Sequence, residues 1–289
     1  MGIELLVNMA YVVAAVLFIF GLKMLGSPAT ARKGNLVSAL TLLDQSIIDF
    51  KWILVGIVVG GAIGALVARR VEMTGMPEMV ALFNGFGGIA SLFVGWAALY
   101  DMHGAHTFVL ITIVLSILIG GVTFSGSMVA WGKLSERISG KAMVFSGQRI
   151  FNILLIIAII GCAGMFTVST GPATSIYLYL VIGLSLLLGI MLVIPIGGAD
   201  MPVVISLLNS YSGLAACAAG IAINNIILIV AGALVGASGI ILTQIMCKAM
   251  NRSLSNVLFS GFSAVSASGT AAKIEGEAKA MTAEDAYCV

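Results

Sequence analysis

The chain has 289 residues, of which 60% are apolar and only 9% are charged, whereas ordinary soluble domains carry about 25% charged residues. The formal net charge of +2 is too small to indicate nucleic-acid binding, and between residues 150 and 247 the only formal charge belongs to Asp200. A water-soluble globular fold is therefore excluded, and the composition predicts an all-α integral membrane protein.

Eight apolar segments are long enough to cross a hydrocarbon core of about 30 Å, which takes roughly 20 helical residues. The first segment, 5–22, has no basic residues before it and is too long for the core of a signal peptide, so it predicts a retained helix. The others are 52–68, 79–100, 107–132, 150–169, 176–196, 202–223 and 226–247. Together they predict a polytopic transmembrane helix bundle with eight full spans.

A ninth apolar stretch, 36–43, is too short to cross, because eight residues at a rise of 1.5 Å reach only about 12 Å. The basic clusters nevertheless require a crossing there, since Lys and Arg concentrate in cytoplasmic loops. Nine crossings would place every basic cluster in the cytoplasm, with a periplasmic N-terminus and a cytoplasmic C-terminus. With eight, Arg69 and Arg70 would face the opposite side from Lys23 and Lys33. We therefore interpret 36–43 as a truncated second helix that has lost about two turns.

Ordinary catalytic and metal-binding patterns are missing from the sequence. His103 and His106 share a short loop with Asp101, which is more typical of a solvated loop than of a metal site, and the four cysteines have no ligand spacing. The glycine pattern at 85–90 lies inside an apolar segment without a preceding strand, so it does not predict a dinucleotide site. We expect no catalytic, metal-binding or cofactor-binding residue in this chain.

Small and polar residues recur at helical spacing in four predicted helices. Such faces let helix backbones approach closely, so for the glycines packing is favoured over a direct functional role. The intramembrane amides of Asn84 and Asn209 differ, because a buried amide needs several hydrogen-bond partners; with Ser127 they would line a narrow wet path. The small and polar residues form one stripe on each of the four helices: Asn84, Gly88 and Ser91; Ser116, Gly120, Thr123 and Ser127; Ser206, Asn209, Gly213, Ala216 and Gly220; and Gly232, Gly236, Gly239 and Thr243.

Ionisable groups are absent from the middle of the predicted spans, so a proton relay would depend on water or on a group from a partner subunit. Asp200 is the one acid between two long helices on the basic side. It is either simply solvated or part of a gate or docking contact, and its isolation makes it the best single candidate for such a contact.

Long motifs across nearly the whole chain resemble the membrane domain of the beta subunit of proton-translocating NAD(P) transhydrogenase. They are MVALFNGFGG (79–88), VTFSGSMVAWGKL (122–134), GGADMPVVISLLNSYSG (197–213), GALVGASG (232–239) and IMCKAMNRS (245–253). Such enzymes pass hydride from NADH to NADP while protons cross the membrane. The resemblance implies a transmembrane proton-channel domain at 1–259 and, at 260–289, a linker toward an NADP(H)-binding domain that this chain lacks.

The resemblance also implies partners, cofactors and residue roles. The partners are the alpha subunit, with its membrane helices and NAD(H) domain, and an NADP(H)-binding domain, in a dimer of the complete complex; NADP(H) and NAD(H) are bound by the whole enzyme and not by this chain. A bacterial inner membrane is favoured over the mitochondrial inner membrane. The implied proton-path residues are Ser127 and Asn209, and the implied coupling or gating residues are Asp200, Gly220, Gly232, Gly236, Gly239, Lys248 and Arg252.

Three departures from the family pattern bear on these expectations. Asn84 stands where some members place a membrane histidine, so a titrating histidine is expected from the alpha subunit. The second helix is truncated, and the chain stops about where the NADP(H) domain begins, so it is not expected to catalyse hydride transfer alone. The alternatives are a non-functional truncated fragment and a small-solute secondary transporter.

Overall fold

The computed structural model describes residues 13, 16–17, 50–101, 106–169 and 172–258, and these residues contain helices and no strands. The predicted all-α class is therefore confirmed for this part of the chain. Its long helices are α1 (Phe50–Arg70), α2 (Met76–Asp101), α3 (Thr107–Leu134), α4 (Gln148–Val168), α5 (Pro172–Val193), α6 (Met201–Ala222) and α7 (Ile226–Ala249). Short 3-10 helices precede α2 (Met73–Gly75) and α6 (Gly198–Asp200), and one further helical turn occupies 254–258.

Six helical segments are long and apolar enough to cross a membrane. They are Met76–Tyr100, Thr107–Leu134, Gln148–Val168, Thr174–Val193, Gly198–Ala222 and Ile226–Ala249, and a shorter apolar segment covers Leu54–Val67. The predicted stretch 36–43 and the tail 260–289 lie outside the described residues, as does 5–22 apart from three positions. The part of the prediction that the structure describes thus corresponds to these six segments and the shorter one.

Proline positions account for the main differences between predicted and observed helix ends. Helix α5 begins at Pro172, earlier than the predicted residue 176, because proline is favoured in the first helical turn, where its missing N–H costs least. The same helix ends at Val193, before the predicted residue 196, since Pro195 cannot donate the next backbone hydrogen bond.

Helix α3 lies at the centre of the described bundle and packs against α2, α5 and α6. Helix α7 covers α6, and α4 lies against α5. Three apolar clusters fill these contacts. One includes Val129 and Met201, the second includes Phe166, and the third includes Val122 and Ile159. Helix α1 has no extensive contact with the other described helices, so its apolar side chains are not covered by them.

Candidate functional site

Glycine faces join α2 to α3 in direct backbone contact. A Cβ atom added to Gly88 would lie 2.9 Å from the carbonyl oxygen of Gly120, and one added to Gly120 would lie 3.0 Å from the backbone nitrogen of Leu92. Next to this contact the Ser116 hydroxyl donates to the Ser91 carbonyl at 2.8 Å. The two predicted stripes therefore face each other, and their glycines serve packing, as the spacing favoured.

A second glycine contact joins α6 to α7. A Cβ atom on Gly232 would lie 2.6 Å from the Gly213 carbonyl oxygen, and one on Gly220 would lie 2.7 Å from the Ile229 backbone nitrogen. A Cβ atom on Gly239 would meet the Ser210 backbone at 2.8 Å. Contacts with backbone atoms cannot yield by a side-chain rotation, so these glycines fix the separation of the two helices.

One intramembrane asparagine links three helices through its side chain. The Asn84 amide on α2 donates to the Ser127 hydroxyl on α3 at 2.9 Å, and its Oδ1 accepts from the Ser212 hydroxyl on α6 at 2.9 Å. Within an apolar bundle such polar groups are stable only when they are paired. The structure thus brings Asn84 and Ser127 together, as predicted, and adds Ser212, which the sequence analysis did not single out.

Asn209 lies near this contact but is not part of it. It precedes Ser212 by three residues on α6, so the two side chains occupy the same helical face, and it is half-buried. No hydrogen bond joins it to Asn84 or Ser127 in the described structure. Nearby on α6 the hydroxyl of Ser206 accepts from Thr243 of α7 at 3.1 Å.

A buried carboxylate marks the start of α6. Asp200 is only 4% exposed, and its Oδ2 accepts a hydrogen bond at 2.8 Å from Nη1 of Arg252, whose side chain is 48% exposed. Its Oδ1 is buried without a hydrogen-bond partner among the described residues. The open alternative of a simply solvated Asp200 is therefore wrong for this structure: the carboxylate is buried and paired with Arg252.

The C-terminal turn of α7 places Arg252 over Asp200. Asn251 adopts the left-handed conformation, with φ of 52°, and the backbone nitrogens of Asn251 and Arg252 donate to the carbonyls of Lys248 and Cys247 at 3.0 and 2.9 Å. This pair of bonds defines a Schellman motif, in which asparagine substitutes for the usual glycine. Lys248 itself is exposed in the last turn of the helix.

Lys133 occupies the same end of the bundle and is buried, with 3% exposure. Its ammonium donates to the carbonyl oxygens of Ile194 at 2.5 Å, Ile196 at 2.7 Å and Lys141 at 3.4 Å. No carboxylate pairs with it in the described residues. A cation is stabilised by the exposed carbonyls at a helix C-terminus, so Lys133 ties the end of α3 to the end of α5.

Comparison with known proteins places the chain in a family. A family model described as "NAD(P) transhydrogenase beta subunit" matches residues 7–289. The chain belongs to the NAD(P) transhydrogenase beta subunit family. Two similar relatives, both described as NAD(P) transhydrogenase subunit beta and both from Rhodospirillum rubrum, are 43% identical over 296 residues, which cover 96% of this chain and 63% of the relative. The chain thus spans 63% of the length of these relatives.

Membership of the transhydrogenase beta subunit family, together with the six apolar helices, identifies a multi-pass membrane protein. It also confirms the resemblance drawn from the sequence motifs. Two residues that take part in the contacts described above, Ser212 and Lys133, were not singled out in the sequence analysis. Ser212 had a usable signal, because it follows Asn209 at helical spacing. Lys133 had none, because a lysine at the end of an apolar segment is typical of an exposed loop.

Proposed function

We propose that this chain is the membrane-embedded, proton-translocating part of an NAD(P) transhydrogenase, in which it couples proton movement to hydride transfer from NADH to NADP. The proposal starts from the family and from the description of the Rhodospirillum rubrum relatives. The observation that carries it is the hydrogen-bonded contact of Asn84, Ser127 and Ser212, which links three helices of the bundle.

The proton path runs along one side of α6. Asn209 lies nine residues beyond Asp200 and Ser212 lies twelve, so at 1.5 Å per residue the two polar groups stand about 14 and 18 Å from the carboxylate. That distance is about half of a hydrocarbon core of about 30 Å. Amides and hydroxyls orient water but do not titrate near neutral pH. The titrating group is therefore supplied by water or by the alpha subunit.

The gate lies at the Asp200 end of α6. The Arg252–Asp200 pair connects the end of α7 to the start of α6. Lys248 lies one helical turn before Arg252. Gly220, Gly232 and Gly239 hold the two helices at a short separation through backbone contacts, and Gly236 lies against the Leu214 side chain of α6. A displacement of the α7 end is therefore transmitted to α6. An NADP(H)-binding domain docking on this end would change the proton path through that contact.

The topology consists of eight full spans and a truncated second helix at 36–43, with a periplasmic N-terminus and a cytoplasmic C-terminus. The matched stretch of 296 residues covers 96% of the 289-residue chain, so the match contains gaps on the side of this chain, as a shortened helix requires. Residues 1–259 form the proton-channel domain and 260–289 the linker. The whole enzyme lies in a bacterial inner membrane as a dimer, with the alpha subunit and the NADP(H) domain holding NAD(H) and NADP(H).

The test is a complex reconstituted in vesicles from this chain, the alpha subunit and an NADP(H)-binding domain. Proton uptake and NADPH formation are measured together for the wild type and for Asn209→Leu. We expect the variant to lose the coupling between the two, because leucine offers no hydrogen bond to water. Ser238→Leu is the matched control, since Ser238 is exposed on α7 and bonds only within its own helix. It should remain coupled.

Normal coupling in Asn209→Leu would show that protons do not pass this position. Failure of the wild-type complex to assemble would instead favour the truncated-fragment alternative. A proton pump of this kind is energetically reasonable, because each charge crossing about 100 mV supplies about 2.3 kcal/mol.

A further inference from the structure

A cavity of about 390 Å³ lies between α3, α4, α5 and α6. It is separate from the polar contact of Asn84 and Ser127, neither of which lines it. Its walls are mainly apolar and include Val122, Ile156, Leu192, Val204 and Leu208. A volume above about 300 Å³ with apolar walls and a few polar groups is typical of a ligand site.

Three polar side chains also line the cavity: Arg149, Asn152 and Tyr211. Asn152 is the most informative, because it is only 9% exposed and its Oδ1 is buried without a hydrogen-bond partner in the described structure. A buried amide oxygen without a donor costs about 1–3 kcal/mol. An occupant of the cavity with a hydroxyl or amine hydrogen would satisfy it.

The electrostatics at the α4 end of the cavity favour an anion. Arg149 is exposed there. Among the described residues the ion pair belongs to Arg252 and Asp200, so no described carboxylate pairs with the Arg149 guanidinium. The first turn of α4 contains no acid, and its cap residue, Gly147, provides no side-chain acceptor. The positive end of the helix dipole is therefore added to the guanidinium charge.

Arg149 and Asn152 are three residues apart on α4 and so share one face, with Asn152 about 4.5 Å further along the helix. From the helix end inward, an occupant would first meet a cation, then an amide oxygen and then apolar walls. A soluble anion would leave the walls uncovered, whereas a plain hydrocarbon would leave both polar groups unpaired. An anionic glycerophospholipid matches all three, and basic pockets between transmembrane helices are known to hold such headgroups.

We propose that this cavity binds one acyl chain of an anionic glycerophospholipid of the phosphatidylglycerol type. Its phosphate pairs with Arg149, and the chain lies against Val122, Val204 and Leu208. The headgroup glycerol bends back from the phosphate along α4, so that one of its hydroxyls donates to Oδ1 of Asn152.

The experiment uses the full chain purified in mild detergent, exchanged into mixed micelles that contain either phosphatidylglycerol or phosphatidylcholine, and examined by native mass spectrometry. We expect phosphatidylglycerol to be retained by the wild type. Arg149→Gln should weaken retention about tenfold or more, a factor that corresponds to about 1.4 kcal/mol. Arg137→Gln is the matched control, because Arg137 lies on Trp131, 4.7 Å from the ring centroid, and does not line the cavity.

Two further variants separate loss of the site from loss of the fold. Arg149→Lys keeps the charge and should retain most of the lipid, and Leu207→Trp fills the cavity and should expel it while Arg149 remains. Equal phosphatidylglycerol retention by Arg149→Gln and Arg137→Gln would overturn the proposal, since the lipid would then be bound nonspecifically around the protein. Equal retention of phosphatidylcholine would also overturn it, because the headgroup charge would have no role.

Discussion

The glycines between α6 and α7 allow a graded test of how closely the two helices pack. Alanine at an open helix position is favoured over glycine by about 1 kcal/mol. At Gly232 the added methyl group would lie 2.9 Å from the Cys217 Cα atom and 2.6 Å from the Gly213 carbonyl oxygen, both of them backbone atoms. Overpacking of this kind costs about 1–3 kcal/mol. After the gain of about 1 kcal/mol in helix propensity is subtracted, we expect Gly232→Ala to lower the free energy of unfolding by up to about 2 kcal/mol.

Two other glycines calibrate the result. Gly236 lies one turn away on the same helix, but its added methyl group would meet the end of the Leu214 side chain at 3.1 Å, which can rotate, so the change should be close to zero. Gly161 on α4 has nothing within 4 Å, so Gly161→Ala should be neutral or stabilising by up to about 1 kcal/mol.

The measurement is thermal unfolding of each purified variant in one detergent, followed by tryptophan fluorescence, with proton-coupled NADPH formation as the second readout. From the most to the least stable, the expected order is Gly161→Ala, Gly236→Ala and Gly232→Ala. Only Gly232→Ala should also lose the coupling of proton movement to NADPH formation. If Gly232→Ala and Gly161→Ala unfold at the same temperature, α6 and α7 are not in backbone contact at Gly232 and the packing account is refuted.

Three further predictions concern the Asp200 end of the bundle and the topology. Lys133→Met should lower the free energy of unfolding by at least about 1 kcal/mol more than Lys141→Met does, because the carbonyls of Ile194 and Ile196 lose a charged hydrogen-bond donor. Equal midpoints of thermal unfolding for the two variants would show that the buried ammonium does not stabilise the protein. Arg252→Gln should destabilise the protein by about 1–2 kcal/mol and Asp200→Asn by less, because only the former leaves a buried charge unpaired; a double-mutant cycle in which the two effects simply add would contradict the pair. Glu72→Cys in a cysteine-free chain should react with an impermeant maleimide from the cytoplasmic side. Labelling from the periplasm would show that the second helix does not cross the membrane.

Helix faces were largely predictable from the sequence, because residues three or four apart must share a face. The stripe of Gly232, Gly236 and Gly239 is the face that α7 presents to α6, and the observed contacts confirm it. Small side chains at this spacing have few uses other than close packing. The sequence could therefore identify the packing faces of the helices without any knowledge of their arrangement.

Partners across the bundle could not be predicted in the same way. Asn84 and Ser212 are separated by 128 positions, and nothing local decides which helix faces which. The burial of Lys133 depends on the point at which α5 ends, since its acceptors are the carbonyls of Ile194 and Ile196. Side-chain type and spacing describe a single helix, whereas these contacts depend on the rotation and height of neighbouring helices.

The difference between the two kinds of contact indicates which part of the bundle moves. The α6–α7 interface is held by backbone contacts at Gly213 and Gly232, which cannot rearrange without separating the helices. The Asp200 end is held by an ion pair whose arginine is 48% exposed, so the guanidinium can be transferred to water or to a docking partner at little cost. Asp200 would then be left buried with neither oxygen paired, which is unfavourable, so its carboxylate must move, acquire a proton or find a new partner. The Arg252–Asp200 contact costs little to open on the arginine side and much to leave open on the aspartate side, which suits a gate. For this reason we place the gate at the Asp200 end, and the glycine contacts transmit its movement from α7 to α6.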